Sequence, residues 1–445
     1  MSMMESTRTR LASDEIVPLG GVNQDYDQLL EWIGDRHFVL LGEASHGSHE
    51  FYRERARITE RLIKEKGFNA VAVEADWPDA YRINRYVLGL SDDPDAEASV
   101  ADFHRFPAWM WRNDDVVDFI SWLRDFNDGC GDPRRRARFY GIDLYSLRAS
   151  MEAVVSYLST VDSDAARRAM DRYSCFDLIG GEGVDYGHAV EMGLHSSCED
   201  EVVAQLIDMR SQSAAILRRD GVAAEDEYFV AEQNARVVHD AERYYRAMYQ
   251  GRVSSWNLRD RHMAETLRDL HWHLNKVVGG AKIVVWEHNS HVGDARATEL
   301  GRAGEFNVGE LARGVWDDDC FLVGFTTYRG RVTAASTWGG QVERKHVRPA
   351  LQGSFEDLLH HAPAKDFGVR LGDHAPEPLR STQLERAIGV IYRPETERLS
   401  HWFHANISSQ FDALIHLDTT SAVHPLDATP LWDAGEPPET YPSGL

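Results

Sequence analysis

Positive charge is scarce in this sequence. The chain of 445 residues carries 48 lysine and arginine residues against 72 aspartate and glutamate residues, which gives a formal net charge of −24 at pH 7. Nucleic acids are polyanions and are bound mainly through basic surfaces. The charge balance therefore argues against a nucleic-acid partner and favours neutral or cationic ligands.

Cysteine is also scarce, and its spacing is wide. No CxxC pair and no spacing typical of a small disulfide-rich domain occurs, so we expect reduced thiols with a structural role. Such usage is typical of the cytoplasm, where disulfides are rare, and we expect a cytoplasmic location. The four cysteines are Cys130, Cys175, Cys198 and Cys320.

Long hydrophobic runs are missing. The first 21 residues contain no apolar core of the length found in signal peptides, and no later run is as long as a membrane span. We therefore expect no membrane interaction. With 43% hydrophobic residues, the chain is long enough for one large domain with insertions or for two domains, without fixing an oligomeric state.

Three motifs that mark common active sites do not occur. Without GxSxG, a serine nucleophile of the α/β-hydrolase type has no support, and without GxGxxG or GxxxxGK[ST] the sequence gives no sign of a nucleotide cofactor. Any chemistry must come from other side chains.

One stretch near the N-terminus combines a buried strand with reactive side chains. The apolar run FVLL at residues 38–41 is followed by glycine, then by Glu43, His46 and His49, and then by a segment of helical period. In open α/β sheets, ligands bind beyond the carboxyl ends of the strands. The pattern predicts a functional turn at such a strand end.

Arg55 has an unusual place on the predicted helix. At 100° per residue it falls in the middle of the apolar side, whereas Arg53 and Arg57 fall opposite. Its aliphatic stem could pack while the guanidinium extends to water. We favour pairing with a buried carboxylate at the strand end, because an unpaired buried charge would be prohibitively costly.

Three further predicted strands end in acidic or imidazole side chains. Parallel strands joined by right-handed crossovers would bring these ends to the same edge of one sheet. Several acids and imidazoles at one edge are the arrangement expected of general acid–base chemistry. The strands are predicted at 69–73, 137–141 and 281–286, and the side chains that follow them are Glu74, Asp143, His288 and His291.

The whole pattern predicts an α/β fold: a mostly parallel central sheet flanked by helices, with a large inserted helical region that forms one wall of the cleft. Further strands are expected at 321–325, 388–392 and 413–417, with 332–337 pairing as a hairpin with 321–325. The boundaries are a mobile N-terminal arm at 1–22, the first half of the α/β core at 23–146, a helical insertion or lid at 147–276, the second half of the core at 277–425, and an extended tail at 426–445, with a flexible junction at 180–183.

Three side chains outside the strand ends are candidates for the cleft. Trp77 should start a helix close to the edge that carries Glu74. Arg259 and Asp260 flank the apolar line near the start of the last inserted helix, where a structural ion pair and a role in the site are equally good interpretations.

The polar cluster allows two mechanisms, and the spacing leaves both open. In the first, His46 is held by Glu43 or Glu74 and takes a proton from water, while His288 and Arg55 stabilise the oxyanion or protonate the leaving alcohol. In the second, a divalent metal polarises the water. Its ligands would be Glu43, His46, His288 and His291.

Five segments, in this order and spacing, resemble the erythromycin esterase family over about residues 20–430. They are FVLLGEASHGSHEFYRERARITERLI, AVAVEADW, YGIDLYSL, WNLRDRHMAETL and VVWEHNSHVGDA. The resemblance implies an α/β core with helical additions, and a general base at His46. It also implies motif carboxylates at Glu43 and Glu74, a motif arginine at Arg55, and a second histidine pair at His288 and His291.

The resemblance further implies hydrolysis of a carboxylic ester, with macrolide ring-opening in the resistance members of the family. Members generally work without a bound metal, which favours the first mechanism and no cofactor, with a divalent metal as the less favoured case. The expected partner is a small-molecule ester or lactone. As catalytic residues we predict His46, Glu43, Glu74, His288 and Arg55, and as substrate-binding residues His291, Asp143, Trp77, Arg259 and Asp260.

Two other classes of protein stay open. One is a metal-dependent hydrolase of the phosphoesterase type, and the other is a non-catalytic protein that binds a ligand or iron. Replacing His46 by alanine separates an esterase from a binding protein, because only an esterase has turnover to lose.

Overall fold

The computed structural model describes residues 10–177, 183–220, 222–249 and 251–434. Its strands are β1 Val17–Pro18, β2 Phe38–Leu41, β3 Ala70–Asp76, β4 Arg138–Asp143, β5 Ile283–Trp286, β6 Cys320–Thr326, β7 Arg329–Ala335, β8 Val342–Val347, β9 Asp366–Arg370, β10 Gln383–Arg386, β11 Trp402–Ala405, β12 Ala413–Leu417 and β13 Thr419–Thr420.

The α-helices vary from single turns to long rods. They are α1 Asp27–Ile33, α2 His49–Lys66, α3 Trp77–Val87, α4 Ala96–Ser99, α5 Asp114–Asp128, α6 Leu147–Val161, α7 Ser163–Tyr173, α8 Gly183–Glu191, α9 Glu199–Asp220, α10 Val222–Ala247, α11 Arg252–Val278, α12 Asn289–Val292, α13 Glu299–Arg302, α14 Val308–Trp316, α15 Phe355–His360, α16 Glu397–Ser400, α17 Ile407–Gln410 and α18 Pro430–Ala434.

The chain divides into two compact units. Unit 1 comprises Met1–Val71, Val87–Ala137 and Lys282–Leu445, as far as these ranges are described, and unit 2 comprises Ala72–Tyr86 and Arg138–Ala281. The helical insertion predicted at 147–276 lies within unit 2, which also contains β4 and most of β3.

The predicted fold class is confirmed as a mixed α/β fold with a large central sheet flanked by helices. Within unit 1, six strands of the sheet follow the order β1, β9, β12, β6, β2, β5. Strands β12, β6, β2 and β5 run parallel to one another, whereas β9 is antiparallel to β12. All four residues of β2 and of β5 are buried, as expected of parallel strands covered on both faces.

Helix α2 packs on this sheet through its predicted apolar side. The aromatic and aliphatic residues of that side are buried, and the helix ends at Gly67, whose φ of 72° is a left-handed conformation that suits glycine. The Phe68 amide then donates to the carbonyl of Leu62 at 3.2 Å, which closes the helix end.

The structure changes three local predictions in unit 1. Residues 332–337 do not pair with β6: β7 pairs antiparallel with β8 and parallel with β13. Residues 388–392 form isolated bridges at Ile388 and Ile391 in place of a strand. Part of the predicted N-terminal arm joins the sheet, because β1 pairs antiparallel with β9.

Unit 2 has a core of its own, built mainly from helices. Helix α10 contacts α6, α8, α9 and α11, and α11 also packs against β4. Buried leucine, valine, methionine and tyrosine side chains from these helices form one continuous hydrophobic cluster.

The prediction of reduced cysteines is wrong for one pair. Cys175 and Cys198 form a disulfide in unit 2, with their Cα atoms 6.1 Å apart. The two cysteines are 23 positions apart in the sequence, and no motif connects them, so the pair was hard to recognise. Cysteine usage therefore no longer supports a cytoplasmic location.

Some predictions fall on residues outside the described ranges. These are residues 1–9 of the arm, 180–182 of the expected flexible junction and 435–445 of the tail. Within the part of the tail that is described, α18 forms a short helix. None of the described helices is both long and apolar enough to cross a membrane.

Candidate active site

The ends of β2 and β5 bring two polar segments together in unit 1. Leu41 pairs with Trp286 across these parallel strands, so the residues that follow each strand leave the sheet at the same level. The amide of Asn289 donates to the carbonyl of Glu43 at 2.9 Å, which joins the two segments directly. The similar segments GEASH at 42–46 and EHNSH at 287–291 thus lie side by side.

The turn after β2 is held by close backbone packing. A Cβ atom at Gly47 would overlap the carbonyl group of Thr333, so only glycine fits there. The Thr333 amide donates to the Gly47 carbonyl at 3.0 Å, and the hydroxyl of Tyr52 donates to the carbonyl of His46 at 2.7 Å. These contacts hold the backbone of the turn that carries the imidazole of His46.

Glu43 connects His46 with Arg55. Oε1 of Glu43 lies 2.9 Å from Nδ1 of His46, and Oε2 lies 2.7 Å from Nη2 of Arg55. The three residues are 2%, 7% and 1% exposed, so the ion pair and the hydrogen bond lie in the interior. Charge-assisted contacts of this kind are strong and directional in such surroundings.

Arg55 is further held by aromatic rings. Its guanidinium lies 4.6 Å from the ring centroid of Tyr52 and 5.1 Å from that of Trp286, distances typical of cation–π interactions. The helical position of Arg55 thus points toward the carboxylate, as the periodicity of α2 predicts.

His288 lies next to His46. The centroids of the two imidazole rings are 4.8 Å apart. His288 is the N-cap of α12, where its Nδ1 accepts the amide N–H of Ser290 at 3.2 Å and lies 2.8 Å from the Ser290 hydroxyl. His291 is buried on the same short helix.

His49 does not join this cluster. Its Nδ1 lies 2.9 Å from Asp115 of α5, and this hydrogen bond raises the pKa of His49 above its usual value, although burial acts in the opposite direction. The His-x-x-His spacing at 46–49 is therefore not a chelate.

The metal alternative names four ligands, Glu43, His46, His288 and His291. Among the residues that the structure describes, no group of three or more His, Cys, Asp or Glu side chains is arranged to hold a metal ion. Glu43 directs its oxygens toward the imidazole of His46 and the guanidinium of Arg55, so both are engaged by positively polarised groups.

A second group of predicted residues meets in unit 2. Nη2 of Arg259 lies 2.6 Å from Glu74 and 2.7 Å from Asp143, and the guanidinium lies 4.9 Å from the ring centroid of Tyr145. Burial opposes the charge, but Asp143, Tyr145 and Glu74 raise the pKa of Arg259 well above its usual value. The guanidinium is therefore permanently charged.

Trp77 and Asp260 are both buried in unit 2. The indole of Trp77 stacks on Tyr140, with centroids 5.7 Å apart, and meets Phe229 edge-on at 5.9 Å. These contacts place Trp77 in an aromatic core. Asp260 follows Arg259 on α11 and is fully buried.

Two residues at the site escaped the sequence analysis as contributors. Tyr52 was visible only as a member of the apolar side of α2, and its bond to the His46 carbonyl is not encoded in any motif. Ser290 was visible only as a neighbour of His288 in sequence. The N-cap contact between His288 and Ser290 depends on the start of α12 at Asn289.

A buried carboxylate–imidazole pair beside a second imidazole, at the strand ends of an α/β sheet, is typical of hydrolases that activate water. The sequence model of the erythromycin esterase family matches residues 63–420. The chain belongs to this family. Glu43, His46 and Arg55 precede the matched range, whereas Glu74, Arg259 and His288 lie within it.

Related proteins support the assignment at low identity. The chain is 23% identical to erythromycin esterase type II from Escherichia coli, with 89% of this chain and 93% of that protein covered. It is 21% identical to the putative hydrolase YbfO from Bacillus subtilis (strain 168), with 89% and 86% covered.

Solved structures share the fold. A succinoglycan biosynthesis protein matches with a TM-score of 0.72 and 21% identity, covering 92% of this chain and 96% of that one. A mutant of the erythromycin esterase EreC in its open conformation matches with a TM-score of 0.68 and 16% identity, covering 90% and 95%. At these identities the likeness concerns the fold alone.

Proposed function

We propose that the protein hydrolyses a carboxylic ester or lactone with water activated by His46. The observation that carries the proposal is the buried contact between Nδ1 of His46 and Oε1 of Glu43. A carboxylate can only accept a hydrogen bond, so it favours a hydrogen on Nδ1 and leaves a lone pair on Nε2. That is the form of a general base.

The reaction proceeds in two steps. Nε2 of His46 takes one proton from water while the water oxygen attacks the carbonyl carbon, and the carbonyl π electrons move to oxygen. The tetrahedral intermediate then collapses, the bond to the alcohol oxygen breaks, and the protonated His46 returns its proton to that oxygen. The products are a carboxylic acid and an alcohol, which remain one molecule when the substrate is a lactone.

His288 and Arg55 have different parts in this proposal. His288, whose ring lies beside that of His46, donates a hydrogen bond to the oxyanion. Arg55 holds the Glu43 carboxylate in place through their ion pair, so that the carboxylate stabilises the positive charge that develops on His46. No step requires a metal ion.

Other predicted residues stay predictions. Glu74 and Asp143 hold the guanidinium of Arg259 in unit 2, where a fixed positive charge suits a carbonyl or carboxylate group of a substrate. We propose Asp143, Arg259 and Asp260 as substrate-binding residues, with Glu74 still a candidate catalytic carboxylate. Trp77 and His291 are buried and would act through packing.

Membership of the family supports the proposed substrate class. A relative named for erythromycin makes macrolide lactones reasonable first substrates. Because the identity to that relative is 23%, we propose the broader class of esters and lactones, in which macrolides are one group.

A hydrolysis screen tests the proposal. Aryl esters, simple lactones, macrolides and aryl phosphates would be incubated with the wild type and with His46→Ala. His404→Ala is the matched control, because His404 is an exposed histidine that pairs with Glu299. Loss of a general base typically lowers turnover by about 10²- to 10⁴-fold.

The outcomes separate the competing classes. Ester or lactone hydrolysis that His46→Ala loses and His404→Ala keeps supports the proposal. Equal hydrolysis by all three proteins contradicts the role of His46. Phosphate hydrolysis that depends on a bound metal replaces the proposal with a phosphoesterase, and binding without turnover replaces it with a ligand-binding protein.

A further inference from the structure

We infer that Ser290 is a positioning residue that fixes the tautomer of His288 and so makes His288 a hydrogen-bond donor at the site. The tautomer itself follows from unit 1 alone. Its consequence for catalysis rests on the proposed function.

The argument begins with the N-cap of α12. The main-chain N–H of Ser290 can only donate, and it points at Nδ1 of His288 from 3.2 Å. This donor favours a lone pair on Nδ1. A neutral imidazole carries one hydrogen, so the same preference places that hydrogen on Nε2.

The side chain of Ser290 strengthens this preference. Its Oγ lies 2.8 Å from the same Nδ1, closer than the amide nitrogen. Because the amide favours an accepting Nδ1, the hydroxyl is the second donor, and the two together select the tautomer. Two donors from one residue thus oppose a hydrogen on Nδ1.

The backbone of Ser290 is held in place by Asn307. The side-chain amide of Asn307 donates to the Ser290 carbonyl at 2.8 Å, and Oδ1 of Asn307 accepts the amide of Glu310 at the start of α14. The Ser290 amide that faces His288 is therefore part of a fixed backbone, and the hydroxyl is attached to that backbone.

His46 has the opposite arrangement. Its Nδ1 faces the carboxylate of Glu43, an acceptor, whereas Nδ1 of His288 faces the donors of Ser290. The two adjacent rings are therefore complementary: His46 has a lone pair on Nε2, and His288 has a hydrogen there. This division suits one base and one oxyanion donor, and it does not suit two interchangeable bases.

Nitrogen-15 NMR of the intact protein tests the tautomer without any substrate. Two-bond correlations in protein labelled at the histidine rings distinguish a hydrogen on Nδ1 from one on Nε2, and spectra of His288→Gln and His46→Gln assign the two signals. We expect the Nε2–H form for His288 and the Nδ1–H form for His46. An Nδ1–H form of His288 in the wild type would overturn the inference.

Substitutions at Ser290 then test the positioning role. Ser290→Ala keeps the amide and removes the hydroxyl, Ser290→Thr keeps both, and Ser290→Asp places an acceptor beside Nδ1. We expect a wild-type tautomer in Ser290→Thr, a mixture in Ser290→Ala, and a hydrogen on Nδ1 in Ser290→Asp. An unchanged tautomer in both Ser290→Ala and Ser290→Asp contradicts the inference.

Kinetics on an ester found in the screen provide the second readout. Loss of one hydrogen bond that acts in the transition state should lower kcat roughly tenfold in Ser290→Ala with little change in KM. Ser290→Thr should restore kcat. Ser121→Ala is the control, because the Ser121 hydroxyl contacts only its own helix, at the Val117 carbonyl.

The kinetic measurement and the NMR measurement test separate claims. Equal losses in Ser290→Ala and Ser290→Thr would show that packing, not the hydroxyl, matters, and would overturn the positioning role. If no ester is hydrolysed by the wild type, the proposed function fails, while the NMR result still decides whether Ser290 sets the tautomer.

Discussion

Nη2 of Arg55 lies 2.7 Å from Oε2 of Glu43, and the two side chains are 1% and 2% exposed. The pair contains the carboxylate that orients His46, so it links the stability of the fold to the geometry of the site. Removing either member would leave a charge in a region that water does not reach.

Arg55→Ala should therefore lower stability as well as activity. Breaking a buried ion pair by removing one partner costs about 3–5 kcal/mol of unfolding free energy. Lys64→Ala is the control on the same helix, because the side chains of Lys64 and its partner Glu60 are 49% and 28% exposed and their pair should contribute only about 0–1 kcal/mol. Urea unfolding measures both, and equal stabilities of the two variants would contradict the burial argument.

Gly47→Ala should disturb the turn that carries His46. The added Cβ would overlap the Thr333 carbonyl, so the turn or β7 must shift, at a cost of about 1–3 kcal/mol. Gly131→Ala is the control, since no atom lies within 4 Å of a Cβ at that exposed position, and it should change stability by less than about 0.5 kcal/mol. Thermal unfolding and ester turnover would be compared, and normal turnover in Gly47→Ala would argue against a rigid turn.

The rate of hydrolysis should fall on the acid side of neutrality. A histidine that acts as a base must be unprotonated. We expect kcat/KM to decline as the solution becomes more acidic, with circular dichroism showing that the fold persists. A flat profile between pH 5 and 8 would count against His46 as the base.

Removal of metal ions should leave hydrolysis unchanged. Glu43 is already engaged by His46 and Arg55, so it is poorly placed to bind a cation as well. Elemental analysis of protein purified without added metal, followed by assays after exhaustive chelation, measures this. Activity that chelation abolishes and one divalent metal restores would support the metal-dependent mechanism.

Sequence periodicity was sufficient for the parts of the site that are local in the chain. The strand at 38–41, the turn with Glu43 and His46, and the inward position of Arg55 all depend on residues within about twenty positions of each other. The segments after β2 and β5 lie next to each other because Leu41 and Trp286 are register partners.

Contacts between distant segments could not be predicted in this way. The packing of Gly47 on Thr333 depends on β7, which the sequence analysis had paired with β6 instead of β8. The hydrogen bond from Tyr52 to the His46 carbonyl and the role of Asn307 in holding Ser290 depend on the exact path of loops. Hydrophobic pattern does not determine such paths.

Glu385 provides a prediction about pH and stability that is independent of the active site. This residue of β10 is fully buried. Burial first, and the neighbouring Glu356 second, raise the pKa of Glu385 well above its usual value, while Gln410 acts in the opposite direction. Burial also raises the pKa of Glu356, against the opposing effect of Arg386.

The sign of the effect follows from proton linkage. The folded protein keeps a proton on Glu385 at pH values where the unfolded chain has lost it, so stability decreases as the pH rises from about 4.3 toward the folded-state pKa. Glu385→Gln has nearly the same shape and does not ionise. Its stability relative to the wild type should therefore increase with pH between 5 and 8.

Urea unfolding at pH 5, 6, 7 and 8 measures this difference. Glu395→Gln is the control, because Glu395 is exposed and close in sequence, and its substitution should leave the pH dependence as in the wild type. If Glu385→Gln and the wild type differ by the same amount at every pH, Glu385 is not the group that takes up a proton on folding.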